Sequence, residues 1–148
     1  MLLTTPGLGA CISGVILFDE TIRQNLSDGT AFMQSTEAVL RSVFEQLARQ
    51  GVMLEALILK PNMVVAGLGC AAQNTPDEVA GATLQCLLRV VPAAVPGITF
   101  LSGGQTGEQP SSRLNAMHAG RRLPAAPGSR PERPALPWQL TFSFSRAL

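Results

Sequence analysis

Lys60 is the only lysine among the eleven Lys and Arg side chains of this 148-residue chain. It follows Leu57-Ile58-Leu59 and precedes Pro61-Asn62, so the pattern puts its amine at the C-terminal end of a strand buried on both faces. A low-dielectric setting there disfavours the ammonium form. A neutral amine is a nucleophile that condenses with a ketone or aldehyde, and the protonated imine then withdraws electrons from the neighbouring carbon bond. The other reading is a strand-end lysine that extends its ammonium into water, and Leu-Lys-Pro alone favours it. A second group of residues is Ser102-Gly103-Gly104, which follows the apolar run Gly97 to Leu101. Paired glycines let backbone N–H groups approach an anion closely, as in phosphate-binding turns, although an ordinary tight turn uses the same residues. Arg146, just past the apolar run Trp138 to Phe144, either adds a bidentate contact to the same phosphate or is a surface arginine. In a parallel barrel the loops after the last two strands are the usual phosphate site, which links the two features.

Other chemistries lack their residues. With one His (His118) and three scattered cysteines, Cys11, Cys70 and Cys86, no credible ligand set for a metal is present, and buried thiols are expected instead. A net charge of +1 with one Trp and no Tyr argues against a nucleic-acid surface. Gly67-Leu-Gly-Cys-Ala-Ala72 fits a dinucleotide fingerprint, but the helix signal at Thr75-Pro76 comes too late for a pyrophosphate to sit on the helix N-terminus. No apolar run reaches the roughly 18 residues of a membrane helix. Met1-Leu2-Leu3 lacks a cationic lead-in and soon meets Pro6-Gly7, a poor secretory signal, so the expected location is cytoplasmic.

The elements that must position Lys60 are those of parallel βα units. With 46% apolar and 14% charged residues the chain is expected to form one globular domain, 1–148. Ile12 to Phe18 suits a buried strand. Thr36 can cap a helix with Val39, Leu40, Val43, Phe44 and Leu47 at helical spacing, ending near Arg49 and Gly51. Val52 to Leu59 reads as the second strand. Thr75-Pro-Asp-Glu78 combines an N-cap, a first-turn proline and a reciprocal glutamate, and starts a helix to about Val91. Gly97 to Leu101 and Trp138 to Phe144 are the third and fourth strands. Between them a stretch rich in Pro, Ala and Arg, at about 119–137, reads as an extended solvated linker. The order points to α/β architecture with a parallel sheet.

Those segments together resemble the class I fructose-bisphosphate aldolases. The resemblance is carried by Leu2-Leu-Thr-Thr-Pro-Gly-Leu-Gly9 with Ile12 to Phe18, by Leu59-Lys-Pro-Asn-Met63, by Val90 to Gly97, by Phe100-Leu-Ser-Gly-Gly104 and by Thr141-Phe-Ser-Phe-Ser-Arg-Ala-Leu148. It implies a TIM (β/α)8 barrel fold and a carbon–carbon lyase of glycolysis and gluconeogenesis. Such an enzyme cleaves fructose 1,6-bisphosphate to dihydroxyacetone phosphate and glyceraldehyde 3-phosphate through a lysine imine, with no metal or other cofactor. Lys60 matches the imine-forming lysine, Ser102, Gly103 and Gly104 match the loop that holds the ketose phosphate, and Arg146 matches the arginine that clamps it.

A complete barrel takes eight strands and about 250 residues, so the expectation here is a partial barrel with about half the strands. By resemblance the chain starts after the family's first strand, keeps the second and jumps near Gln34-Ser35 to the helix before the sixth. The family's acidic proton-transfer residues and a further active-site lysine fall in the missing part, and strand alternation keeps Glu55 from taking such a role. Ser145 stands where glycine is usual, and Pro110 enters a segment that is normally helical. Half a barrel exposes strand edges and an apolar face, which a small open sheet or pairing of two chains into a homo-oligomer would relieve. Three functional readings stay open: an aldolase impaired by truncation, a non-catalytic phosphosugar-binding remnant, and an unstable truncated product.

Overall fold

The computed structural model describes residues 12–15, 29–66, 73–119 and 136–144. In chain order these form β1 (Ile12–Val15), α1 (Gly29–Arg49), a 3-10 turn (Leu54–Ala56), β2 (Leu57–Lys60), α2 (Pro76–Val90), β3 (Gly97–Phe100), α3 (Gln109–Ala119) and β4 (Gln139–Phe142). The four strands make one parallel sheet in the order β1-β2-β3-β4. Among the described residues this is an open half of an α/β barrel, with the helices on one face.

The helix ends follow from side chains that complete backbone hydrogen bonding. α1 starts earlier than Thr36 suggests: the Thr36 hydroxyl donates to the Phe32 carbonyl one turn back, at 2.8 Å, and is absorbed into the helix rather than capping it. Phe32, Thr36, Leu40 and Leu47 then share the buried stripe. The C-terminus closes as expected. Gly51 sits at φ +66°, which lets Val52 N–H reach Leu47 O and Gly51 N–H reach Ala48 O, both at 3.0 Å. α2 begins with the full capping box: Thr75 N–H donates to Glu78 Oε2 at 2.8 Å while Glu78 N–H donates to Thr75 Oγ1 at 3.3 Å.

Two further expectations are corrected. The second strand is confined to Leu57–Lys60, because Leu54–Ala56 winds into a 3-10 turn. The segment after Ser102-Gly103-Gly104 is helical despite Pro110, which occupies the first turn of α3, where a backbone N–H has no intrahelical acceptor to lose.

The core lies between the helices and one sheet face. Leu57 and Leu59 of β2, Ile98 and Phe100 of β3 and Leu140 of β4 meet Leu40, Phe44 and Leu47 of α1, Val79 and Leu87 of α2, and Leu114 and Met117 of α3. Trp138 is fully buried and its indole N–H donates to Pro92 O at 3.0 Å, tying the entry of β4 to the end of α2. The opposite face is open: Ile58 is 40% exposed, so β2 is buried on one face rather than two. Cys86 is a buried thiol as expected, whereas Cys11, Cys70, most of the Pro/Arg linker and the Gly67–Ala72 motif lie outside the described residues. No helix among the described residues is long and apolar enough to cross a membrane.

Candidate active site

Because all four strands run parallel, their C-terminal ends share one edge, and that edge gathers the candidate residues. Lys60 closes β2. Alternation along Leu57-Ile-Leu-Lys sends Leu57 and Leu59 into the core and leaves Lys60, half-buried, on the open face with Ile58. Its Nζ donates to the Ser143 hydroxyl at 3.1 Å, just past β4, spanning β3. The setting is therefore a polar rim beside the core, not the enclosed apolar site that an uncharged amine suggests.

The Ser102-Gly103-Gly104 segment lies between these two residues in the sheet. Leu101 N–H donates to Pro61 O at 3.1 Å and Ser143 N–H to Phe100 O at 2.8 Å, so the ends of β2, β3 and β4 are laced together beyond the regular ladder. Gln105 N–H donates to Ser102 O at 3.1 Å, closing a four-residue turn whose central residues, Gly103 and Gly104, both have positive φ (+55° and +75°). Gly103 also packs on buried Asn62: a Cβ there would fall 2.6 Å from Asn62 Cγ. The side-chain oxygen of Asn62 accepts from Met63 N–H at 2.9 Å, which holds the amide in place. The residue two beyond Lys60 thus seats the glycine turn.

The structure therefore brings together Lys60, Ser102, Gly103 and Gly104, while Arg146 and Ser145 fall outside the described residues. Glu55 is exposed on the 3-10 turn before β2, at the opposite end of that strand from Lys60. Sequence reasoning passed over Asn62, Gln105, Arg113 and Ser143. Ser143 had a signal, because polar residues alternate with Phe142 and Phe144. Gln105 directly follows the glycine pair and closes its turn, whereas Asn62 and Arg113 join the turn only through space, Asn62 against Gly103 and Arg113 on Gln105.

The model of the family described as "Fructose-bisphosphate aldolase class-I" matches residues 1–37 and 33–148. The chain belongs to the class I fructose-bisphosphate aldolase family. The two matched segments meet within 33–37, the place where the sequence suggests a jump. A probable fructose-bisphosphate aldolase class 1 of Xanthomonas campestris pv. campestris is 44% identical over 129 residues, covering 87% of this chain and 35% of the relative. Fructose-bisphosphate aldolase B of Gallus gallus is 51% identical over 113 residues, 76% of this chain and 28% of the relative. Among solved structures, the fructose-bisphosphate aldolase of Plasmodium falciparum, in a ternary complex with TRAP and a small-molecule inhibitor, aligns with TM-score 0.69 and 41% identity over 82% of this chain and 31% of that one. The chain thus spans about a third of the length of these aldolases. Its four parallel strands are a partial form of their barrel.

Proposed function

We propose that Lys60 forms an imine with the carbonyl of a phosphorylated ketose, as a Schiff-base aldolase does, and that Ser102, Gly103, Gly104 and Arg146 hold the ketose phosphate. The substrate is fructose 1,6-bisphosphate and the products are dihydroxyacetone phosphate and glyceraldehyde 3-phosphate. The observation that carries this reading is the placement of the Lys60 amine at the C-terminal sheet edge, 3.1 Å from the Ser143 hydroxyl and one strand away from a double-glycine turn.

The chemistry follows from the amine. The Lys60 Nζ lone pair adds to the ketone carbon, an amine proton passes to the oxygen, and the carbinolamine so formed takes up a second proton as it loses water to give a protonated imine. The C3–C4 bond breaks as the C4 hydroxyl gives up its proton. The bonding pair passes into the iminium to form an enamine, and the aldehyde leaves. Protonation at C3 and hydrolysis return the amine and release dihydroxyacetone phosphate. The iminium is the electron sink, so the reaction calls for no metal or other cofactor. Acidic groups that would move these protons belong to parts of the barrel with no counterpart here, and each typically contributes about 10²–10⁴ in rate. Turnover is accordingly impaired, while imine formation is retained. The proposed location is cytoplasmic, and the open sheet face is the surface on which copies would associate.

Incubation with dihydroxyacetone phosphate and borohydride, followed by intact mass, tests the proposal. The expected result is one reduced adduct per chain, absent from Lys60→Met. Phosphate-dependent binding without an adduct would instead make the chain a phosphosugar-binding remnant, and absence of a cooperative thermal transition would make it an unstable fragment.

A further inference from the structure

α3 turns a buried face of Pro110, Arg113, Leu114 and Met117 toward the rest of the fold. Arg113 is the exception on that face. It is 5% exposed, and among the described residues it has no carboxylate in ion-pair contact. Its Nη1 donates to Gln105 Oε1 at 2.6 Å. Gln105, equally buried, passes the contact on: its Nε2 donates to Ser102 O at 2.9 Å, the carbonyl that already accepts Gln105 N–H. The guanidinium can only donate, so it fixes which end of the Gln105 amide faces it and which end is left to hold Ser102. Burying a cation without a counter-charge is costly, and an apolar side chain would fill the position at lower cost. Desolvation holds the guanidinium below its ordinary pKa, but an arginine stays charged. An anion bound on the turn would supply the missing charge.

We infer that Arg113 is the positioning residue of the phosphate turn: acting through Gln105 it sets the Ser102–Gly104 backbone, and its buried charge selects a dianionic phosphate there. This rests on the phosphate role proposed above for Ser102, Gly103 and Gly104. Arg113 touches neither the sugar nor Lys60. Its effect is confined to the phosphate end of the substrate.

The test compares the full chain with Arg113→Met and Arg113→Lys, titrating inorganic phosphate by calorimetry and trapping adducts at Lys60 with dihydroxyacetone and with its phosphate. Arg113→Met should weaken phosphate binding about 10-fold, the scale of one charge-assisted contact. Arg113→Lys keeps the charge without the planar fork and should recover part of that loss. Trapping of neutral dihydroxyacetone should be the same in all three proteins, whereas a merely structural role would lower it in parallel. If Arg113→Met does not fold, Arg113→Lys alone must show weakened phosphate binding with unchanged dihydroxyacetone trapping. Equal phosphate affinity in wild type and folded variants would overturn the inference and leave the imine reading intact. A wild type that binds no phosphate would overturn both the inference and the phosphate role, and one that binds phosphate but traps no adduct would sink the Lys60 reading alone.

Discussion

Gly103 is held to glycine by two independent constraints, the left-handed backbone of its turn and the Asn62 amide packed where a side chain would begin. Gly103→Ala should therefore cost more, in chemical denaturation, than the roughly 1–2 kcal/mol of left-handed strain alone, and Asn62→Ala in the same chain should return the part due to the Asn62 contact. The sequence signals the double glycine but not its partner, because no local pattern connects Asn62 with a turn forty residues later. Cys86 shows the same split. Its burial is expected because three scattered cysteines suit neither a disulfide scaffold nor a metal site, but its chemistry depends on the neighbourhood: desolvation, helped by the nearby Glu37 carboxylate, pushes the thiol pKa up to about 12. A thiol held protonated in the folded state stabilises it fully below the unfolded-state pKa, about 8.5, and that contribution is lost as pH rises toward the folded value. Stability should thus fall between those limits. Cys86→Val should flatten the alkaline slope, which is simple to follow in a chain without tyrosine.

Elements were legible where a motif closes on itself. Thr75-Pro-Asp-Glu78 specifies the start of α2 through contacts within four residues, and the structure forms all of them. The glutamate accepts from Thr75 N–H and then from its hydroxyl, and these bonds hold the Glu78 carboxyl below its usual pKa. A lowered carboxyl pKa stabilises the fold above the unfolded value and loses that contribution as pH falls through the folded one. Glu78→Gln should melt below wild type at neutral pH, and the gap should close in acid. Thr75→Ala should cost about 1 kcal/mol, as loss of an N-cap does. The start of α1 was not legible, because Thr36 is a good cap by type and only the preceding Phe32 turn, with its accepting carbonyl, makes it an interior residue. α3 was missed because a proline reads as a breaker until its position in the first turn is known.

At the scale of the whole molecule, the two-layer arrangement explains how a chain with a third of an aldolase's length builds a core and gathers its candidate residues on one sheet edge. The helices cover one side of the sheet and build a core around Leu40, Leu59, Ile98 and Phe100, all within 1% of complete burial. Leu40→Ala should cost about 2–5 kcal/mol, read from the denaturation midpoint, since the cavity would open between α1 and the sheet. The sequence implied the parallel βα order and the family. It could not show that β1 pairs directly with β2, which depends on how the two matched segments pack after joining. The arrangement leaves Lys60 at the sheet edge with its amine on Ser143. The most direct test of its role is peptide mapping after borohydride reduction in the presence of dihydroxyacetone phosphate. A single modified peptide carrying the reduced ketose phosphate on Lys60 is the predicted result; an unmodified Lys60 in a cooperatively folded chain at saturating ligand would contradict it.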